Sequence, residues 1–177
     1  MTTVGQSRFV EALARRRVPL GFVAAAAVLV LARPTPASWQ AGLAVALAGE
    51  AIRVWAAGHL EKGREVTRSG PYRFTRHPLY LGSAVMAVGI VIASRSTLAA
   101  AIGIIYMAAT VAAAIRTEEA FLRRTFGAAY DDYRAARGAP MPRRFSFARA
   151  MRNREYRAVV GLVLGFALLA LRMSVPL

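Results

Sequence analysis

Apolar positions along the chain gather into five runs, at 18–32, 39–58, 79–93, 97–115 and 158–171. The second and fourth have the ~20 residues that a helix needs to cross hydrocarbon, while the other three rely on flanking residues to complete a span. Arginines at the run ends can snorkel, which relaxes that length requirement. "RPTPAS" and "SRS" read as tight hairpins between neighbouring runs, and alanine-rich stretches such as "AAAAVLVLA" and "AATVAAAI" suit close helix packing in lipid. The pattern predicts an all-α, polytopic membrane helical bundle of about five transmembrane helices, in a single domain over 1–177. The basic opening segment followed by an apolar run resembles a signal peptide, but "ARPTPAS" is a weak cleavage match, so a retained first span is expected.

A different periodicity follows the fourth run. In "IRTEEAFLRRTFGAAYDDYRAAR", Phe121, Leu122, Phe126, Ala129, Tyr130 and Tyr133 recur at three- and four-residue spacing. That predicts an amphipathic helix lying along the membrane face, within 116–137. Glu118 stands three and four residues before Phe121 and Leu122, in line with the apolar stripe, whereas Glu119 is offset and placed to pair with Arg123. A carboxylate turned inward at the end of a bundle is costly unless a cation meets it. Arg116, Arg76 or a ligand could supply that cation.

Composition supports the membrane reading, with 56% hydrophobic residues in 177. Lys and Arg number 24 against 9 acidic residues, a net charge of +15. On one face of a soluble fold such a balance would suggest nucleic acid. Here the basic residues fall between apolar runs, so no nucleic-acid partner is expected. The N-terminal segment (Arg8, Arg15, Arg16, Arg17), the loop 59–78 and the stretch 116–157 hold nearly all of them. With five spans these three segments share one side, which the positive-inside rule makes cytoplasmic. The absence of cysteine excludes disulfides, a thiol nucleophile and thiolate metal sites. His59 and His77 alone make a weak metal site, so no metal is expected.

Two further groups bear on chemistry. In "TRHPLY", residues 75–80, Pro78 suits the first position of the third helix, and His77 before it is pushed out of helical geometry. Arg76 and His77 then lie at a helix N-terminus, where free N–H groups and the dipole favour an anion. A ligand carboxylate or phosphate fits there. So does plain contact with lipid head groups, the histidine capping a loop. Glu50 and Arg53, three residues apart inside the second run, form a pair that mutual neutralisation explains.

The strings "GPYRFTRHPLYLG" (70–82) and "RTEEAFLRRTFGAAYDDY" (116–133) together resemble the isoprenylcysteine carboxyl methyltransferase family, whose wider superfamily includes phospholipid N-methyltransferases. The resemblance covers roughly residues 45–142. It implies methyl transfer from S-adenosylmethionine, with S-adenosylhomocysteine as product, at the cytoplasmic membrane face. By position it implies cofactor contacts from Arg64, Glu65, Val66 and Thr67, from Tyr72, from His77, Pro78, Leu79 and Tyr80, and from Glu118. A carboxylate for the α-ammonium and a helix end for the carboxylate suit the zwitterionic part of that molecule. Arg76, Arg116 and Glu119 are the candidates for catalysis, the arginines by holding an anionic acceptor or orienting its head group.

The sequence departs from the family pattern at "RAARGAPMP" and in its extra C-terminal run. The expected acceptor is a lipophilic small molecule or lipid that enters sideways from the bilayer of a bacterial inner membrane. Two other readings remain at this level: a membrane reductase of sterol-reductase-like architecture using NADPH, and a non-catalytic protein that binds anionic lipid.

Overall fold

The computed structural model describes Arg16, residues 19–139 and residues 141–174. Arg8, Arg15, Arg17 and the start of the first apolar run lie outside them. The described residues form seven α-helices and no strand. In chain order these are α1 (Pro19–Leu31), α2 (Pro36–Ala57), α3 (Pro78–Ser94), α4 (Thr97–Phe126), α5 (Ala128–Arg134), α6 (Phe147–Arg152) and α7 (Tyr156–Ser174). A 3₁₀ turn, Gly70–Arg73, sits in the loop between α2 and α3.

Local chemistry sets the ends. Thr35 and Ser38 form a reciprocal capping box at the start of α2, with Pro36 in the first turn. Ser96 accepts from the Ala99 N–H to open α4. At α3, His77 occupies the N-cap with non-helical backbone and Pro78 follows as the first helical residue, as the sequence requires.

Two helices, α4 and α7, are long and apolar enough to cross a membrane, and α1 and α3 are shorter apolar helices. Helices occupy all five runs, but of the two expected to span unaided only α4 meets the length and composition of a span; α2, at 22 residues, does not, and α7 does instead. Only 22% of the apolar window of α4 and 17% of that of α7 is buried. Ile104, Ile105, Val163, Leu164 and Leu171 are exposed, the reverse of a soluble core helix and suited to lipid.

The separate surface helix expected over 116–137 is replaced by a continuation of α4. At 30 residues, α4 is about 45 Å long against a hydrocarbon core of about 30 Å. It carries Glu118 and Glu119 on its protruding end. Gly127, at φ +48, breaks the helix, and α5 turns away from it. Glu119 does not pair with Arg123, whose guanidinium lies 3.6 Å from Asp131.

The centre of the bundle is the antiparallel contact of α2 and α3. Gly42 faces Gly89 and Gly49 faces Gly82, two pairs seven residues apart on each helix. A methyl group on Gly89 would sit 2.5 Å from the Gly42 carbonyl oxygen, and one on Gly49 2.6 Å from that of Gly82. The backbones meet with nothing between them, as small residues permit in lipid. The buried core of Ala32, Ala46, Ala93, Leu162, Phe166 and Leu169 adjoins this contact. Through it α7 docks on the bundle, the Trp39 indole N–H donating to the Phe166 carbonyl at 2.9 Å.

Gly49→Leu and Gly89→Val should each destabilise the protein by about 1–3 kcal/mol through overpacking. Gly161→Ala, at a site with open space around it, should not. Thermal unfolding in detergent would measure both.

Candidate functional site

The C-terminal end of α2, the start of α3, the protruding end of α4 and the start of α7 meet at one end of the bundle. The basic loop 58–77 covers that end, and a cavity of about 790 Å³ opens there, within the ~300–1,000 Å³ usual for small-molecule sites. Glu65, Val66, Thr67, Tyr72, Arg76, His77, Pro78, Leu79, Tyr80 and Glu118 all line it. The first and last of these, Glu65 and Glu118, lie 53 positions apart in the chain, and the fold brings them to one wall. Arg64 does not join them: its side chain is 81% exposed and lies 3.9 Å from Glu61. Arg116 is also exposed and outside the lining.

Glu119 stands behind the lining rather than in it. Its Oε1 lies 3.2 Å from an Arg76 guanidinium nitrogen and 3.2 Å from His77 Nε2. One carboxylate therefore fixes both residues that precede α3. Tyr130, fully buried, lies beside it, and burial together with this carboxylate raises the phenol pKa. At the start of α3 the Tyr80 and Leu81 N–H groups already donate to the His77 carbonyl. Pro78 has no N–H, so the Leu79 N–H is the one left in the first turn for an anion.

Three carboxylates line the cavity, and two of them are held. Glu65 takes a two-pronged contact from Arg143 at 2.5 and 2.8 Å, and Glu155 accepts from Arg53 Nε at 2.7 Å. Glu118 has no ion pair or hydrogen bond among the described residues. Its charge is felt by Tyr72, whose hydroxyl is held protonated by burial first and by Glu118 second. Tyr133, whose pKa is pushed up to about 12 chiefly by burial, donates to the Tyr72 carbonyl at 2.8 Å and ties α5 to the 3₁₀ turn.

Several lining residues were not anticipated. Arg53 pairs with Glu50 at 3.7 Å, but its shorter contact is to Glu155, and it also reaches Ser83. Asn153, Lys62 and Tyr133 complete the wall. The signal for Arg53 and Glu155 was present as opposite charges beside the facing ends of two apolar runs. The loop is fixed from α6, where Arg149 bonds Glu61 at 2.7 Å. Against it, Gly70 at φ +55 stacks so close to the His59 ring that any side chain would collide. His59 Nδ1 lies 3.1 Å from Ser69 Oγ, and burial, then Arg149 and Arg143, lowers its pKa.

A family model for phospholipid methyltransferases matches residues 41–129, from α2 to the start of α5. That stretch carries both sequence strings up to Ala129 and all ten of the lining residues named above. The chain belongs to the phospholipid methyltransferase family. Membership brings methyl transfer as the general activity, and the match is to this wider group rather than to isoprenylcysteine carboxyl methyltransferases. The nickel-cobalt-cadmium resistance protein NccN of Alcaligenes xylosoxydans xylosoxydans is 32% identical over 143 residues, covering 74% of this chain and 67% of that one. No solved structure matches the chain significantly. In this methyltransferase α6, α7, Tyr133, Arg143, Asn153 and Glu155 lie beyond the stretch matched by the family model.

The hydrogen bond from Arg149 holds the Glu61 carboxyl below its usual range, so its stabilisation is present above pH 4.5 and lost as pH falls through the lowered value. On acidification from pH 5 to 3, the melting temperature of the wild type should therefore drop more than that of Glu61→Gln. Arg143→Ala leaves Glu65 unpaired at the cavity wall and should cost about 1–3 kcal/mol in thermal unfolding.

Proposed function

We propose that the cavity binds S-adenosylmethionine and that the protein methylates a lipophilic acceptor bearing a carboxylate, phenol or amine head group, releasing S-adenosylhomocysteine. The observation that carries this is Glu118, the one lining carboxylate without an ion pair or hydrogen bond among the described residues. Left alone beside apolar Phe121 and Leu122, it is a costly feature that a ligand ammonium explains. Leu79 N–H at the start of α3, with Lys62 in the same lining, suits the amino-acid carboxylate of the same molecule. Tyr72 and Tyr80 add aromatic surface that favours a sulfonium. Bound there, S-adenosylmethionine supplies an activated methyl group.

What this chain does is position and dry the site. Tyr72, kept protonated by its burial, offers a hydroxyl donor to a ligand rather than a base. Arg76, steadied by Glu119, orients the acceptor head group, and Glu119 serves the reaction through Arg76 and His77. Arg116, further along the exposed side of α4, meets the head groups of surrounding lipid. The arginine-rich end faces the cytoplasm, and the acceptor enters from the bilayer.

Calorimetry on purified protein in detergent should show S-adenosylmethionine binding, weakened about tenfold or more in Glu118→Gln by loss of a charged hydrogen bond of about 1.5–3 kcal/mol. Equal affinity in wild type and variant would overturn the assignment of Glu118. Thermal stabilisation by NADPH and not by S-adenosylmethionine would favour a reductase instead.

A further inference from the structure

The wall of the main cavity includes a charged group that the proposed cofactor contacts leave unused. Glu155, at the turn into α7, and Glu50, three residues before Arg53 on α2, approach the same nitrogen, Arg53 Nε, at 2.7 and 3.7 Å. Both residues are buried, each 6% exposed. The guanidinium is already committed, Nε to Glu155 and Nη1 to the Ser83 hydroxyl and the Leu79 carbonyl. Glu50 is left with two buried oxygens and no hydrogen bond among the described residues. Two carboxylates therefore share one cation, and the group is one positive charge short. Such a deficit is costly away from water, and a proton is the smallest species that meets it.

Glu155 connects this pair to the cavity. It lines the cavity where Glu50 does not, and its Oε2 has no hydrogen bond among the described residues. Its place is fixed from both sides. The Asn153 amide donates to the Ala57 and Leu60 carbonyls at 2.8 and 2.9 Å, and beyond Arg154, at φ +61, the Glu155 N–H reaches the Ala150 carbonyl at 3.2 Å. Glu118 and Glu155 both act on the Tyr72 hydroxyl, so the two carboxylates look into one space. The other lining groups that could take a proton are occupied. Glu65 is held by both prongs of Arg143, Glu118 faces the proposed ammonium, and His77 has Nε2 on Glu119 and Nδ1 buried. Tyr72 is kept protonated, and Lys62 and Arg76 are cations. Glu155 also lies beyond residues 41–129, so the stretch shared with the family does not supply it.

Resting on the proposed methyl transfer, we infer that Glu155 is its proton acceptor, that Glu50 shares the proton through the common arginine, and that the acceptor carries a proton on its nucleophilic atom, X. As the electron pair of X forms the X–C bond, the pair of the breaking C–S bond stays on sulfur and the X–H proton passes to Glu155 Oε2. The positive charge lost from the sulfonium reappears as that proton, on a group that lacked one. Glu155 touches the acceptor and is the catalytic residue; Glu50 acts through Arg53 and is a positioning residue.

Infrared difference spectra of the full chain in detergent, taken between pH 9 and pH 5, read the pair directly. A carboxylic-acid carbonyl band should grow in on acidification of the wild type and be missing from both Glu50→Gln and Glu155→Gln, because one carboxylate alone with Arg53 has no deficit to fill. A wild type without such a band, or a band that survives in either variant, overturns the shared proton. Activity reads the transfer, with dodecylamine, 4-dodecylphenol and laurate as probes beside S-adenosylmethionine. Methylation of the amine or the phenol should rise with pH through the same transition as the band. Glu155→Gln, which can still accept from Arg53, should lower kcat about a hundredfold and leave KM and S-adenosylmethionine affinity within about twofold, and Glu155→Asp should recover part of the loss. Unaltered kcat in Glu155→Gln, or a wild type that methylates laurate alone, which has no proton to give, overturns the role of Glu155. A wild type that shows the shared band but does not bind S-adenosylmethionine would sink the methyltransferase reading and leave the proton pair standing.

Discussion

Everything at the functional end of this protein depends on how closely α2 and α3 can approach. Gly42 against Gly89 and Gly49 against Gly82 place the two backbones in direct contact, and the approach continues to the cavity, where Gly82 lies against the stem of Arg53. A larger residue at Gly82 would push that stem aside, since its Cβ would lie 2.6 Å from Arg53 Cγ. Arg53 then could not hold Glu155 at the start of α7 or reach Ser83 on α3. The contact also fixes where α3 begins, hence where Pro78 and the His77–Glu119–Arg76 group stand. In lipid, where apolar side chains gain little from leaving one another's company, such close backbone packing is a principal source of helix association.

The second governing constraint is electrostatic. An end of a bundle that carries this many arginines is stable because most acidic side chains are spent on fixing particular ones: Glu61 on Arg149, Glu65 on Arg143, Glu155 on Arg53, Glu119 on Arg76. Those pairs are partly buried, so each costs desolvation and each is worthwhile chiefly as a geometric constraint. Against that background one group stands out. Among the described residues, Glu118 is the carboxylate lining the cavity that has no ion pair. A ligand with a cationic group would satisfy it.

The helical class, the positions of five helices and the start of α3 at Pro78 were readable in the linear pattern, because each rests on local chemistry: run length, a proline at the first helical position, a capping pair. Nine residues of the main cavity were readable too, but from the resemblance of two strings rather than from periodicity. The reading of 116–137 as a separate surface helix failed for a local reason. Nothing in the sequence breaks helix between Ile115 and Phe126, so α4 simply runs on until Gly127. Glu119 was assigned to Arg123 by i, i+4 spacing, and tertiary partners outcompeted that weak surface pair.

By itself, the sequence determined that this is a helical membrane protein with its polar chemistry gathered at one end, because hydropathy, arginine placement and helix-end signals act over a few residues and need no fold to be felt. Tertiary structure alone decided which charges answer one another. Glu65 meets Arg143 across 78 positions and Arg53 meets Glu155 across 102. No local rule selects such partners; they are set by which helix ends the glycine contact of α2 and α3 brings together, and the charges left over mark the site.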